Sequence, residues 1–147
     1  MVLSLLKRLT ASEPETLDEP DARLALSALL VRIARTDGHY DMVEAAEITR
    51  VLMERYGLNH GAAEELRGEA EALEKDAPDT VRFTRAIKDA VDYDDRAAVV
   101  EAAWKVVLSD GVRDHNEDGL MRLVVKLLGV NDRDSALARH RVEAMLQ

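Results

Sequence analysis

The 147-residue chain contains no cysteine, and this absence excludes disulfides, thiolate zinc sites and a cysteine nucleophile. A chain of this length buries roughly 70% of the surface that its unfolded form exposes, so it can build a core without cross-links. The lack of cysteine also agrees with a reducing compartment. We therefore expect the protein to work in the cytoplasm.

Aromatic residues and prolines are scarce as well, since the aromatic fraction is 3% and the chain has three prolines. Alanine, leucine, glutamate, arginine and valine dominate instead. In most windows of the sequence these residues favour helix over strand. We predict an all-α fold, a compact bundle of about seven to eight helices built from two helical repeats.

Positive charge is in short supply, with 20 lysines and arginines against 29 acidic residues and a net charge of −9. Sequence-independent nucleic-acid binding needs clustered lysine and arginine, so we expect no nucleic-acid partner and favour cations and basic proteins. No apolar run approaches the ~20 residues that span a bilayer. The first ten residues also lack the order of a signal peptide, and we predict no transmembrane segment.

Periodicity divides the chain into two parts. Residues 1–20 read as a short amphipathic helix and a linker with two prolines, and residues 21–147 read as a single helical domain. The short helix either docks on this domain or binds a membrane surface or a partner. Asp21 is the expected N-cap of the first helix of the domain, and Asp94 or Asp95 opens a later one. A helix in the middle of the chain should bridge the two halves, and Trp104 should lie in the core.

A short acidic stretch occurs twice in the chain. Residues 36–44 read TDGHYDMVE, and residues 109–117 read SDGVRDHNE. In each copy an Asp-Gly pair is followed at the same offsets by Asp and Glu, with an apolar helical pattern on either side. A Gly-Leu-Asn or Gly-Val-Asn turn then follows, and its glycines, Gly57 and Gly129, lie 72 residues apart. The agreement predicts an internal duplication, with repeats over roughly residues 21–75 and 94–146.

Helix capping explains part of this stretch. An Asp followed three residues later by Glu matches a capping box, in which the Asp accepts from a first-turn amide and the Glu reaches back. Four acids fit this explanation, namely Asp41, Glu44, Asp114 and Glu117. The other two, Asp37 and Asp110, end the preceding helices, where a carboxylate meets the negative end of the helix dipole. They therefore indicate a role beyond capping.

The six acids are our candidate metal ligands, because Ca²⁺ and Mg²⁺ prefer carboxylate oxygens. An ordinary EF-hand is not indicated, since aligning its glycine on Gly38 puts Ile33 and Arg35 at the first two ligand positions. A cation held between the two turns, or two carboxylate sets that assist a hydrolysis, are the alternatives that spacing leaves open. The acidic run of residues 64–79 is interpreted as a solvated face or a linker.

No familiar catalytic pattern accompanies these acids. The sequence has no G-x-S-x-G, Walker or Rossmann motif, and the four histidines form no helical H-x-x-x-H zinc pair. His60 and His140 fall on positions that the helical pattern leaves exposed. We therefore expect no enzymatic activity.

The duplicated Asp-Gly…Glu pattern, together with the Gly-Leu-Asn and Gly-Val-Asn turns, resembles the TerB family of tellurite-resistance proteins over about residues 21–146. It is also similar to the N-terminal domain of the membrane co-chaperone DjlA. The resemblance implies a cytoplasmic bacterial helical bundle that serves a stress or metal-resistance system and acts with a membrane-associated partner, so the protein would work at the inner face of the membrane. It further implies divalent cation binding by an acidic surface, carried over to Asp37, Glu44, Asp110 and Glu117.

These observations together predict a non-enzymatic TerB-like module. In the first form of this hypothesis, the duplicated acidic turns bind a divalent cation or a basic partner. In the alternative form, the chain is a structural protein–protein adaptor, similar to a co-chaperone, and its acids are helix caps.

Overall fold

A computed structural model describes residues 2–9, 17–36, 40–108 and 115–146, and these residues form α-helices and no strand. The helices are α1 (Val2–Leu9), α2 (Glu19–Thr36), α3 (Met42–Tyr56), α4 (His60–Asp76), α5 (Thr80–Ala90), α6 (Tyr93–Val107), α7 (His115–Leu127) and α8 (Asp132–Met145). The predicted all-α bundle is confirmed.

Several helices begin at a polar N-cap residue. Asn59 accepts a 2.8 Å hydrogen bond from the amide of Ala62 at the start of α4, and Asp79 accepts a 3.0 Å bond from the amide of Arg82 at the start of α5. Such side chains satisfy first-turn amides that have no partner within the helix.

Two predicted helix starts are wrong by one to three residues. The amide of Asp21 donates to Oδ1 of Asp18 at 3.0 Å, so α2 begins earlier, at Glu19, and Asp18 is its cap. Pro20 fits in this first turn because a proline there loses no helical hydrogen bond. Helix α6 begins at Tyr93, ahead of both aspartates that were expected to open it.

Helix α2 lies at the centre of the bundle, where it packs against α3, α4, α5 and α6. Its middle turns are buried on almost every side, as expected of a helix enclosed by others. The fully buried residues of these turns include Ala25, Ala28, Leu29, Val31 and Ala34. The first Asp-Gly pair, residues 37 and 38, follows the end of this helix in the sequence.

The N-terminal helix docks on the domain. Helix α1 packs against α4 and α5, and Leu5 and Leu9 are 1% and 2% exposed. Burying a leucine side chain stabilises a fold by about 1.5–3 kcal/mol. Of the roles that the sequence leaves open for α1, its packing agrees with docking.

The two halves of the chain share a detailed turn geometry. Gly57 and Gly129 end α3 and α7 with φ values of 63° and 68°. The next amide, of Leu58 or Val130, donates back to the carbonyl oxygen of Met53 or Val125, at 3.2 and 3.1 Å. Asn131 then caps α8 as Asn59 caps α4. These matches agree with an internal duplication, which stays a prediction.

Helix α5 connects the halves in space, since it packs against α2 on one side of the sequence and α7 on the other. This agrees with its predicted bridging position. Trp104 on α6 is 6% exposed, which confirms its place in the core.

Candidate functional site

The first Asp-Gly turn is held at both ends by α4. Before the turn, Nε of Arg35 lies 2.6 Å from Oε1 of Glu74. After the turn, the hydroxyl of Tyr40 donates a 2.6 Å hydrogen bond to Oε2 of Glu71. The Arg35 guanidinium also lies over the Tyr40 ring, 4.9 Å from its centroid. The two flanks of the turn are thus fixed to each other and to one helix.

Glu74 belongs to a buried charge network that supports this arrangement. Its Oε2 accepts a 2.8 Å hydrogen bond from Nε of Arg32, and the two side chains are 8% and 13% exposed. The Arg32 guanidinium also donates to the carbonyl oxygens of Pro78 at 2.8 Å and of Glu74 itself at 3.0 Å. These bonds satisfy the buried charges and join α2 to the connection between α4 and α5.

The prediction that residues 64–79 form a solvated face or a linker is therefore wrong for Glu71 and Glu74. Both acids bind residues that flank the turn, and Glu74 is 6% exposed. The signal that could have found Glu74 is its spacing: it follows Leu73 on α4, one turn after the buried Ala70, and so lies beside the buried stripe. Its partners could not be foreseen, because they are more than 30 residues away in the sequence.

Tyr40 remains a neutral donor over the ordinary pH range. Burial raises the pKa of Tyr40 well above its usual value of 10, and the hydrogen bond to the Glu71 carboxylate raises that pKa further. Ionising the phenol would place a second negative charge against Glu71. The contact therefore works as a fixed link between the turn and α4.

Asp41 caps α3 as predicted. Its Oδ1 accepts from the amides of Val43 and Glu44 at 3.0 and 3.1 Å, and its side chain is exposed. Glu44, three residues later, is 5% exposed. An exposed and a buried carboxylate thus share the first turn of one helix. They offer the oxygen donors that a hard cation prefers, with one oxygen of Asp41 already bonded to amides.

The remaining candidate ligands are not described. Asp37, Asp110 and Asp114 lie outside the described residues, and Glu117 lies in the first turn of α7 with its side chain outside the description. Among the side chains that are described, no three histidines or acids converge as a metal site would require. Whether the six acids meet stays a prediction.

Two exposed apolar side chains lie directly beside the first acidic turn. Met42 is 88% exposed and Val43 is 63% exposed, although both open a helix that buries Ile48, Val51 and Leu52. The sequence gives a signal for this, because Met42 and Val43 fall outside the apolar stripe of α3. The exposed carboxylate of Asp41 therefore adjoins two exposed apolar side chains.

The histidines make no metal site within the described part of the chain. His60 is exposed and lies 2.9 Å from Glu64, one helical turn along α4. His140 is exposed on α8. Their exposure agrees with the sequence prediction.

A family model described as tellurite resistance protein TerB matches residues 23–140. No curated protein and no solved structure matches the chain. In the described residues, no helix has both the length and the apolar character needed to cross a bilayer. The matched range covers the chain from α2 into α8, including both Asp-Gly turns.

Proposed function

We propose that this chain, which belongs to the TerB family, is a non-enzymatic module whose acidic Asp-Gly turns bind a divalent cation or a basic protein partner. The observation that supports this function is the anchoring of the first turn on α4 through Arg35–Glu74 and Tyr40–Glu71. Two contacts on one helix fix the positions of Arg35 and Tyr40, and the sequence between these two residues contains Asp37.

Such anchoring suits a ligand site because a preorganised turn loses little freedom on binding. Asp37 follows the last residue of α2 in the sequence, and a carboxylate near the C-terminal end of a helix is unfavourable without a cation. The net charge of −9 raises the local concentration of cations and basic proteins around the surface. Ca²⁺ or Mg²⁺ would be held by carboxylates of the six acids, with Asp41 and Glu44 as the described members of the set.

Calorimetric titration with Ca²⁺, Mg²⁺, Mn²⁺ and Zn²⁺ tests the cation half of the proposal. We expect saturable binding of at least one ion by the unaltered chain, and loss of most of that binding in Asp37→Asn and Asp110→Asn. Asp41→Asn is the sharpest variant, because asparagine keeps the N-cap and removes only the charge. Asp79→Asn is its control, since it changes an equivalent cap of α5 away from the turns.

The same titration can also refute the cation half of the proposal. If no ion releases or absorbs heat, and none raises the melting temperature at millimolar concentration, the cation half fails. A basic peptide that binds the unaltered chain and not Asp37→Asn would then support the basic-partner half alone.

A second candidate function is a structural adaptor in which the acids serve as caps. The two hydrogen bonds that Asp41 accepts from backbone amides favour this function. The exposed Met42–Val43 pair beside the turn also favours it. On this proposal the partner is a membrane-associated protein, and the chain acts at the inner face of the membrane. Met42→Ser with Val43→Ser should then abolish partner binding, whereas Asp37→Asn and Asp110→Asn should leave it unchanged.

A further inference from the structure

Helix α1 lies in an apolar groove on the surface of the bundle, which we call the α1 groove. The helix packs against α4 and α5, and its leucines Leu5, Leu6 and Leu9 are 1%, 9% and 2% exposed. Both α4 and α5 lie within residues 23–140, the range of the family match, whereas α1 precedes that range. The groove therefore belongs to the matched domain, and its occupant is a short helix from outside the matched range.

An open cavity of about 580 Å³ continues this groove beside Leu5. Its apolar lining comes from α1, α2, α4 and the turn between α3 and α4, namely Leu5, Pro20, Leu24, Leu58 and Leu66. Three of these side chains, Leu24, Leu58 and Leu66, are partly buried and pack against the core. Helix α1 thus leaves apolar space that a longer helix would fill.

Charge does not select the occupant of this groove. The charged residues that line the cavity are Asp21, Arg23 and Glu69, and Arg23 forms an ion pair with Glu19 at 2.8 Å. Helix α4 is rich in acids, whereas α5 has three basic residues and one acid. The groove therefore selects by apolar shape, and the leucine face of α1 shows which shape it accepts.

Helix α1 depends on the groove for its helical form. It has 8 residues, and an isolated helix of this length is marginal in water. Only residues 10–16 separate it from Leu17, whose amide donates to the carbonyl oxygen of Ala90 at 3.0 Å, at the end of α5. This short connection gives α1 a high local concentration at the groove, so α1 competes with any helix that arrives from another molecule.

We propose that the α1 groove is the docking site of a leucine-bearing amphipathic helix of a partner protein, and that α1 is its internal competitor. The partner helix presents leucines at the spacing of the α1 leucines, and it extends into the cavity beside Leu24 and Leu66. Packing the apolar face of a helix into a hydrophobic groove is a common mode of protein recognition. The additional contacts in the cavity offset the advantage that tethering gives to α1. This proposal does not rest on cation binding at the acidic turns.

The lack of cysteine allows a single spin label to report on α1. Lys7 is exposed on α1, so Lys7→Cys accepts a nitroxide without disturbing the buried leucines. The probe is a synthetic peptide of three Leu-Leu-Lys-Arg-Leu-Ala-Ala heptads, which continues the leucine spacing of residues 5–9. Its matched control has the same composition but spreads the leucines around the helix, so the two peptides carry the same charge.

We expect the amphipathic peptide to bind saturably and to displace α1, so that the nitroxide spectrum changes from an immobile to a mobile form. The control peptide should do neither. Leu66→Ser should weaken binding about fivefold, since Leu66 lines the cavity. Leu123→Ser is its matched control, because Leu123 is 43% exposed on α7, and it should leave the affinity unchanged. Melting temperatures will show that both variants fold.

A third substitution distinguishes competition by α1 from simple binding. Leu9 is buried and is not among the residues that line the cavity, so Leu9→Ser weakens the docking of α1 and keeps the cavity lining. We expect this variant to bind the amphipathic peptide about tenfold more tightly, because the internal competitor is weaker. An unchanged or lower affinity would overturn the role of α1.

Further results would overturn the proposal as a whole. They are no binding of the amphipathic peptide, equal binding of the two peptides, binding that leaves the nitroxide immobile, and equal affinities in Leu66→Ser and Leu123→Ser. Release of the label by anionic phosphatidylglycerol vesicles, and not by the peptide, would assign α1 to a lipid surface. In sedimentation equilibrium, a dimer that Leu9→Ser abolishes would assign the groove to α1 of a second copy. Either assignment would replace the partner helix.

Discussion

The hydroxyl of Tyr40 lies 2.6 Å from Oε2 of Glu71, and this contact ties the residue after the first Asp-Gly turn to α4. Hydrogen bonds to charged groups contribute about 1.5–3 kcal/mol to stability when they are shielded from water. Because Tyr40 is only half-buried, we expect Tyr40→Phe to lower the free energy of unfolding by about 1 kcal/mol. Urea denaturation of Tyr40→Phe, Glu71→Gln and the double variant will isolate the pairwise energy. Additive effects of the two single changes would contradict the link.

The same contact predicts a loss of stability in alkaline solution. The pKa of Tyr40 is raised in the folded state by burial and by Glu71, so above pH 10 the unfolded chain releases a proton that the folded chain retains. Stability is therefore complete below pH 10 and falls as the pH rises beyond it. Tyr40→Phe should reduce this slope. Burial also raises the pKa of Tyr56, so part of the slope should remain, and a slope unchanged in Tyr40→Phe would contradict the assignment.

Removing Glu74 should be costly, because it would leave the buried Arg32 without its carboxylate. Breaking a buried ion pair costs about 3–5 kcal/mol, and the low exposure of both side chains puts Glu74→Ala within this range. Glu69→Ala on the exposed face of the same helix should change stability by about 0.5 kcal/mol or less. Thermal and urea unfolding will compare them. Similar losses for the two variants would show that the network contributes little.

The two glycine turns give a matched pair of substitutions. Alanine at either position meets a backbone penalty of about 1–2 kcal/mol, because φ is positive. At Gly57 a new Cβ meets nothing within 4 Å, whereas at Gly129 it would lie 2.7 Å from Cε of Lys88 and 3.1 Å from Nη1 of Arg96. The exposed end of Lys88 can move away, but Arg96 is held by hydrogen bonds to the carbonyl oxygens of Val91 and Leu128. We therefore expect Gly129→Ala to destabilise more than Gly57→Ala in urea denaturation, and equal losses would refute the steric reason.

Two substitutions of Asp41 separate the effect of its capping hydrogen bonds from the effect of its charge. Asp41→Ala should cost about 1 kcal/mol of unfolding free energy, because the amides of Val43 and Glu44 lose their acceptor. Asp41→Asn should cost much less, since asparagine caps equally well. Denaturant titrations of the two variants supply the measurement. If both lose the same stability, the carboxylate charge has a role at the turn beyond hydrogen bonding.

Local signals were sufficient for most of the fold. Asn59, Asp79 and Asn131 cap helices because each side chain accepts a hydrogen bond from an amide only three residues away, and such short-range chemistry is visible in the sequence. The prediction that Asp21 is the N-cap of α2 was wrong because Asp18, three residues earlier, takes this position. Pro20 does not prevent this, since a proline is tolerated in the first turn of a helix. The start of α6 was missed for a related reason, since its cap residue, Asp92, makes no side-chain cap bond.

The candidate site was less predictable because its support is long-range. The spacing of the acids identified Asp41 as a cap, yet nothing near residues 35–40 indicates that Glu71 and Glu74 bind the flanks of the turn. Those contacts depend on the way α2 packs against α4.

Helix α4 receives α1 as well as the flanks of the first Asp-Gly turn. The N-terminal helix and the residues that flank the acidic turn therefore contact the same helix, although they are about 30 residues apart in sequence. A partner that displaced α1 would expose Leu5 and Leu9. It would also remove part of the packing of α4, the helix that contacts both flanks of the turn. Displacement of α1 would therefore alter the support of Arg35 and Tyr40, the residues on either side of the first Asp-Gly pair.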